Sequence, residues 1–143
     1  MNHYLGLYVL AQEFQIEELE NTVIDLVRHY YHSEKMTSPA FRLEYIYSNT
    51  KGPCKMREFL VTTAAYRALS DEEEKSLGIS DSVKDLLKKG GDLAPDYAEA
   101  LCNLNKNDME DVRKGDDCIW HVHESTPKCP PARALEPWEK QSE

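Results

Sequence analysis

Apolar residues in this chain recur at intervals of three and four, and almost nowhere at intervals of two, which commits it to helices. Ile16, Leu19, Val23, Leu26, Val27 and Tyr30 form one such series, expected on one face of a helix. Tyr4, Leu5, Tyr8, Val9 and Ala11 form another before it. The link between them, Glu13 to Gln15, is short enough only for a tight helix–helix connection. Such a pair must bury its stripes against more of this chain or against another protein, so association is a leading theme.

The same period continues with strong punctuation. Ser38-Pro39 reads as an N-cap followed by proline at the first helical position, with Phe41, Tyr45 and Ile46 as the stripe behind it. Lys51-Gly52-Pro53 is a turn, and Met56, Phe59, Leu60, Thr63 and Ala64 mark a fourth helix. Ser70-Asp71-Glu72-Glu73 is an acidic start to a short helix closing at Gly78. Ser80 caps a helix through Lys89 that carries Val83, Leu86 and Leu87 and exits at Gly90-Gly91. Asp92 to Asn105 is the last, with Pro95 tolerated in its first turn. The expectation is an all-α fold, a small bundle of about five to seven helices over 1–105. An irregular Cys/His segment at 106–129 and a flexible, proline-rich tail at 130–143 should follow.

Charge narrows the function. The 143 residues carry a net −9, and residues after Tyr66 hold 11 Lys/Arg against 18 Asp/Glu. No basic stripe interrupts that acidity, so nucleic acid is excluded as a partner. There is no run of 18 apolar residues for a membrane span and no secretory leader. Four cysteines without such a leader fit an intracellular compartment, cytoplasmic or nuclear. Cys54 and Cys102 fall inside helical patterns and should bury as small hydrophobes.

Cys118, His121, His123 and Cys129 form a Cys-x2-His-x-His-x5-Cys constellation. Two thiolates and two imidazoles make a complete tetrahedral set for zinc, structural because four protein ligands leave no position for water. If extended, the 121–123 stretch turns both imidazoles to one side. Free thiols, a disulfide, or histidines merely solvated beside Asp116, Asp117 and Glu124 are the competing readings. His29 and His32 lack a third ligand at helical spacing. Asn103, Asn105 and Asn107 mimic a calcium loop, but its sixth position is Asp108 and its twelfth Lys114. Phosphate loops and hydrolase or protease signatures are absent, and no small-molecule substrate is evident, so the chain reads as non-enzymatic.

The opening helices, LYVLAQEFQIEELENTVIDLVRHY, resemble the last helix pair of the BTB/POZ domain in fungal BTB proteins. The stretch YIYSNTKGPCKMREFLV is similar to the segment that follows the domain there, and CIWHVHE to a Cys-x2-His-x-His element near the end of many of them. The likeness spans most of residues 4–67 and a short piece near 118–124. It implies self-association or docking of other proteins. The strands and helices that open such a domain have no counterpart here, which suggests a fragment, a truncated product or a divergent relative.

The expected function is therefore a protein-interaction module, with Tyr4, Tyr8 and Val9 as partner-binding anchors if they are exposed. The alternative is a small structural zinc domain whose Cys/His cluster presents the binding surface.

Overall fold

The computed structural model describes residues 2–70 and 78–129. The acidic helix expected after Ser70 and the tail at 130–143 lie outside the described residues, apart from their flanks. Six α-helices and no strand occur among the described residues: α1 Asn2–Glu13, α2 Glu17–Ser33, α3 Ala40–Asn49, α4 Lys55–Leu69, α5 Asp81–Lys88 and α6 Leu93–Lys106. A 3₁₀ turn, Asp117–Trp120, is the one regular element after α6 among the described residues.

α1 and α2 form a hairpin, α4 packs on α6, and α3 bridges α1, α4 and α5. The core is one cluster to which every helix contributes, from Leu5 and Tyr8 through Phe59 and Leu60 to Leu104 and Trp120. Met56, Phe59, Leu60, Thr63 and Ala64 all bury as their spacing predicts. Two stripes are rotated from expectation. On α2 the buried face is Val23, Ile24, Val27 and Tyr31, while Ile16, Leu26 and Tyr30 are exposed. On α3, Leu43 and Ile46 bury, and Phe41 and Tyr45 face out. In both helices the face that buries is set by the neighbour it meets, α1 for α2, and α4 with α1 for α3.

Helix ends also depart from the simplest reading. Ser80 caps α5 through Val83 N–H as expected, but Ser38 does not cap α3. Its amide instead donates to Thr63 Oγ1 of α4 at 2.9 Å, and the helix starts after Pro39. Cys54 stands at the N-cap of α4, half-buried, and Cys102 is exposed on α6 because Tyr97, Ala100 and Leu104 take its inner face. The α4 amide of Met56 donates to the Tyr8 hydroxyl at 3.4 Å, which supplies an acceptor from α1. α1, α2 and α6 all close in Schellman turns, where Ile16 N–H reaches Ala11 O, Met36 reaches Tyr31 and Met109 reaches Leu104, each at 2.8 Å.

Three buried arginines hold the irregular segments. Arg57 donates to the carbonyls of Tyr47 and Thr50 and to Thr50 Oγ1, closing the end of α3. Arg113 donates to Met36 O and to both oxygens of Asp111. Arg28, fully buried, donates to Val112 O and Lys114 O and pairs with Asp117. Each guanidinium offers five donors in a fixed fork, enough to satisfy several loop carbonyls at once. The chain beyond α6 is thereby wrapped back over α2, with Trp120 edge-on to Phe59 at 5.6 Å.

Candidate metal centre

The 3₁₀ turn places the first ligand candidate. Asp116 accepts from the Cys118 amide at 2.9 Å, Asp117 is pinned by Arg28 and by His29 at 3.1 Å, and Trp120 is anchored in the core. Cys118 is thus fixed from both sides. The backbone leaves the turn extended at His121, and Asn21 of α2 then grips Val122. Its Oδ1 accepts from Val122 N–H and its amide donates to Val122 O, each at 2.8 Å. Gripped between them, Val122 sets His121 and His123 to one side, their rings edge-to-face 5.5 Å apart.

The four candidates Cys118, His121, His123 and Cys129 converge. One ligand atom from each lies within 4.8 Å of the others, so the group could hold a metal ion. His123 Nε2 is 3.6 Å from Cys118 Sγ and 3.5 Å from Cys129 Sγ, and His121 Nδ1 is 3.1 Å from Cys129 Sγ.

The far nitrogen of each ring is engaged elsewhere, and that sets the tautomers. His121 Nε2–H donates to Asp25 Oδ1 at 2.7 Å, leaving Nδ1 as a lone pair toward the cluster. His123 Nδ1 lies 3.1 Å from Thr126 Oγ1. The Thr126 hydroxyl donates to Glu17, so toward the ring it can only accept, and Nε2 of His123 is left bare. Glu17 also accepts from the amides of Ser125 and Thr126. These bonds, that of the Thr126 hydroxyl foremost, pull its carboxyl down to about 2.

The cluster is short of positive charge. Cys129 is pushed up to about 11, chiefly by its hydrogen bond with Cys118, then by burial and by the negative charges of Cys118, Asp116 and Asp25. Asp25 is itself raised by burial, against the pull of His121. A bound cation would reverse both pressures, since thiolate ligation by a divalent ion deprotonates the thiol outright.

The other expected site residues fall elsewhere. Tyr8 is 1% exposed and belongs to the core, while Tyr4 and Val9 are half-buried and packed against it. The exposure required of them as anchors is therefore not met by Tyr8, whose ring fills the space between α1 and α4. Leu7 and Leu10 occupy the outer face of α1 instead, and Phe14 follows them just past its end, at 39%, 48% and 70% exposure. The groups that orient the cluster, Glu17, Asn21, Asp25 and Thr126, did not stand out in the sequence. A signal existed: Glu17, Asn21 and Asp25 are spaced by four, one polar line along α2, and Arg28 and His29 extend it.

No helix among the described residues is long and apolar enough to cross a membrane. The chain matches no protein-family model, no curated protein and no solved structure.

Proposed function

We propose that this chain is a non-enzymatic, intracellular protein-interaction module whose C-terminal segment is stapled to α2 by one structural zinc ion. The observation that carries the zinc reading is the bare nitrogen on each imidazole, fixed by Asp25 and by the Glu17–Thr126 pair to face two sulfurs. Tetrahedral zinc with Zn–S of ~2.3 Å and Zn–N of ~2.05 Å requires S···N edges of about 3.5 Å. Two of the four nitrogen–sulfur separations, 3.6 and 3.5 Å, already meet that requirement. Carboxylate–histidine–metal linkages of the Asp25–His121 kind are the usual outer support of such ligands. The soft, borderline S₂N₂ donor set suits zinc over calcium or magnesium. Bound there, the ion would contribute folding energy to a segment with few apolar side chains.

Association is supported by the outer stripe of α1. Leu7 and Leu10, with Phe14 in the turn just after the helix, recur at helical spacing on the side turned away from the core. The likeness of α1 and α2 to the last helix pair of a BTB/POZ domain points the same way, as does the general role of such domains in docking proteins.

Metal analysis tests the staple. Protein purified without chelator should carry close to one zinc per chain, and Cys118→Ser should lower both that content and the melting temperature. Zinc well below one per chain, or a Cys118→Ser variant that melts like the parent, would overturn it.

A further inference from the structure

Cys118 and Cys129 reach the cluster from opposite ends of its segment, one from the 3₁₀ turn and one from beyond Pro127. Their sulfurs lie within 4.8 Å of each other. They also flank one and the same nitrogen, His123 Nε2, at 3.6 and 3.5 Å. A disulfide has its sulfurs ~2.05 Å apart, so joining this pair takes a movement of less than about 3 Å. Residues 121–129 contain no helix or strand that such a movement would break.

The pair is also open to solvent. Both cysteines are half-buried, and exposed residues flank them, Asp116 and Ile119 around Cys118 and Pro127 and Lys128 before Cys129. A molecule as small as a peroxide can approach from that side. Cys54, at the N-cap of α4, and Cys102, on α6, belong to no such cluster among the described residues.

We infer that Cys118 and Cys129 are a redox pair as well as metal ligands, so that a peroxide joins them in a disulfide and expels the zinc ion. This regulation of the metal site rests on the zinc reading given above. Zinc ligation keeps both sulfurs as thiolates, the nucleophilic form. One thiolate attacks hydrogen peroxide, the O–O bond breaks, and a sulfenic acid forms with release of hydroxide. The second thiolate attacks that sulfur, the S–S bond forms, and the S–O bond breaks with loss of a second hydroxide. Two electrons thus pass from the sulfur pair to the peroxide. The ion, left with two imidazoles out of four ligands, departs into water. Because the second sulfur is so near, it intercepts the sulfenic acid before further oxidation to the sulfinic acid.

The change is reversible by the same geometry. His121 is positioned by Asp25 and His123 by Thr126, contacts that involve neither sulfur, so both nitrogens keep their places. An external dithiol reduces the disulfide to two thiols, and reloading with zinc releases their protons.

The test treats the zinc-loaded full chain with hydrogen peroxide. Zinc release is followed with a chromophoric chelator, and the thiols by alkylation and mass spectrometry. The expected result is loss of the one zinc per chain, loss of two of the four free thiols, and a peptide map that joins Cys118 to Cys129. Dithiothreitol with added zinc should restore the starting state. The Cys54→Ser, Cys102→Ser double variant should respond as the parent does. In Cys118→Ser, Cys129 has no partner and should accumulate as sulfinic acid. A zinc-loaded chain that keeps its ion in peroxide, or loses it with sulfinic acids and no disulfide, would overturn the redox pair and leave the staple standing. So would a disulfide that engages Cys54 or Cys102 instead. A chain that takes up no zinc before any oxidant is added would overturn the staple and the redox pair together.

Discussion

Asn21 holds Val122 by both backbone groups, across 101 residues of sequence, with two hydrogen bonds of 2.8 Å. A carboxamide is the one neutral side chain that can both donate and accept in this planar way. Asn21→Ala should therefore cost about 2–4 kcal/mol, two hydrogen bonds lost and two half-buried backbone groups left without partners. Thermal melting followed by circular dichroism checks this. A shift under one degree would mean that Val122 is held by other contacts.

Asp25 acts on the cluster without belonging to it. Asp25→Asn keeps an oxygen able to accept from His121 Nε2–H at the present 2.7 Å, but removes the charge that makes the ring a better ligand. Zinc affinity should fall on the order of tenfold or more, while the melting of the chelator-treated protein changes little. Competition with a chromophoric chelator measures it, and equal affinities in the two proteins would assign Asp25 a packing role only.

How far the sequence announced all this depends on range. The helices were legible because their signals are local: period, caps and Gly90 all act within a few residues. Cys118, His121, His123 and Cys129 were legible for the same reason, since they share a 12-residue window. Glu17, Asn21 and Asp25 were not, because a polar line on a helix ordinarily means solvent, and only the return of residues 117–126 buries it. Arg28, Arg57 and Arg113 were hidden likewise: each is buried because it serves loop carbonyls, and nothing local to an arginine reveals that duty. Tyr8 was misplaced for a third reason. Tyr8 and Leu10 are two residues apart and so lie on opposite sides of α1, and which of those sides faces α4 is decided by packing.

Glu17 gives the fold a signature in acid. Its folded carboxyl sits near 2 against an ordinary 4.5, so it stabilises the folded state fully above about 4.5. That contribution fades as pH falls from 4.5 through about 2, below which both forms are protonated. Glu17→Gln should therefore melt lower than the parent at pH 7 by a gap that stays constant down to about 5 and closes by about 2. Protonation of the imidazoles and thiols occurs in both proteins, so the difference between them isolates Glu17. A gap independent of pH would rule the carboxylate out as its source.

The outer face of α1 and its inner face should respond oppositely to charge. Leu10→Glu with Phe14→Glu places carboxylates where the chain already meets solvent, so the melting temperature should stay within about 2 °C while any self-association seen by light scattering is lost. Tyr8→Glu instead buries a carboxylate between α1 and α4 and removes the acceptor for Met56 N–H, so it should yield little folded protein. An unaltered mass for the Leu10, Phe14 double variant of an associating parent would move the contact surface off α1.

Arg28 is where the wrapped segment and the helical bundle are joined most tightly. Its guanidinium is fully buried, lies 5.6 Å from the Trp120 ring centre, and serves two carbonyls together with Asp117. A lysine in its place would keep the charge but has one nitrogen for three acceptors that lie in a forked arrangement. Arg28→Lys should thus cost about 2–3 kcal/mol, and Arg28→Ala about 3–5, since the second also strips Val112 O and Lys114 O of every donor from this side chain. The loss should be local first. Hydrogen exchange should quicken in residues 112–123 before α4 and α6 are affected, and zinc affinity should fall with it because Asp117 no longer fixes Cys118. Uniform acceleration across all six helices would place Arg28 in the global core instead, and would detach the metal cluster from it.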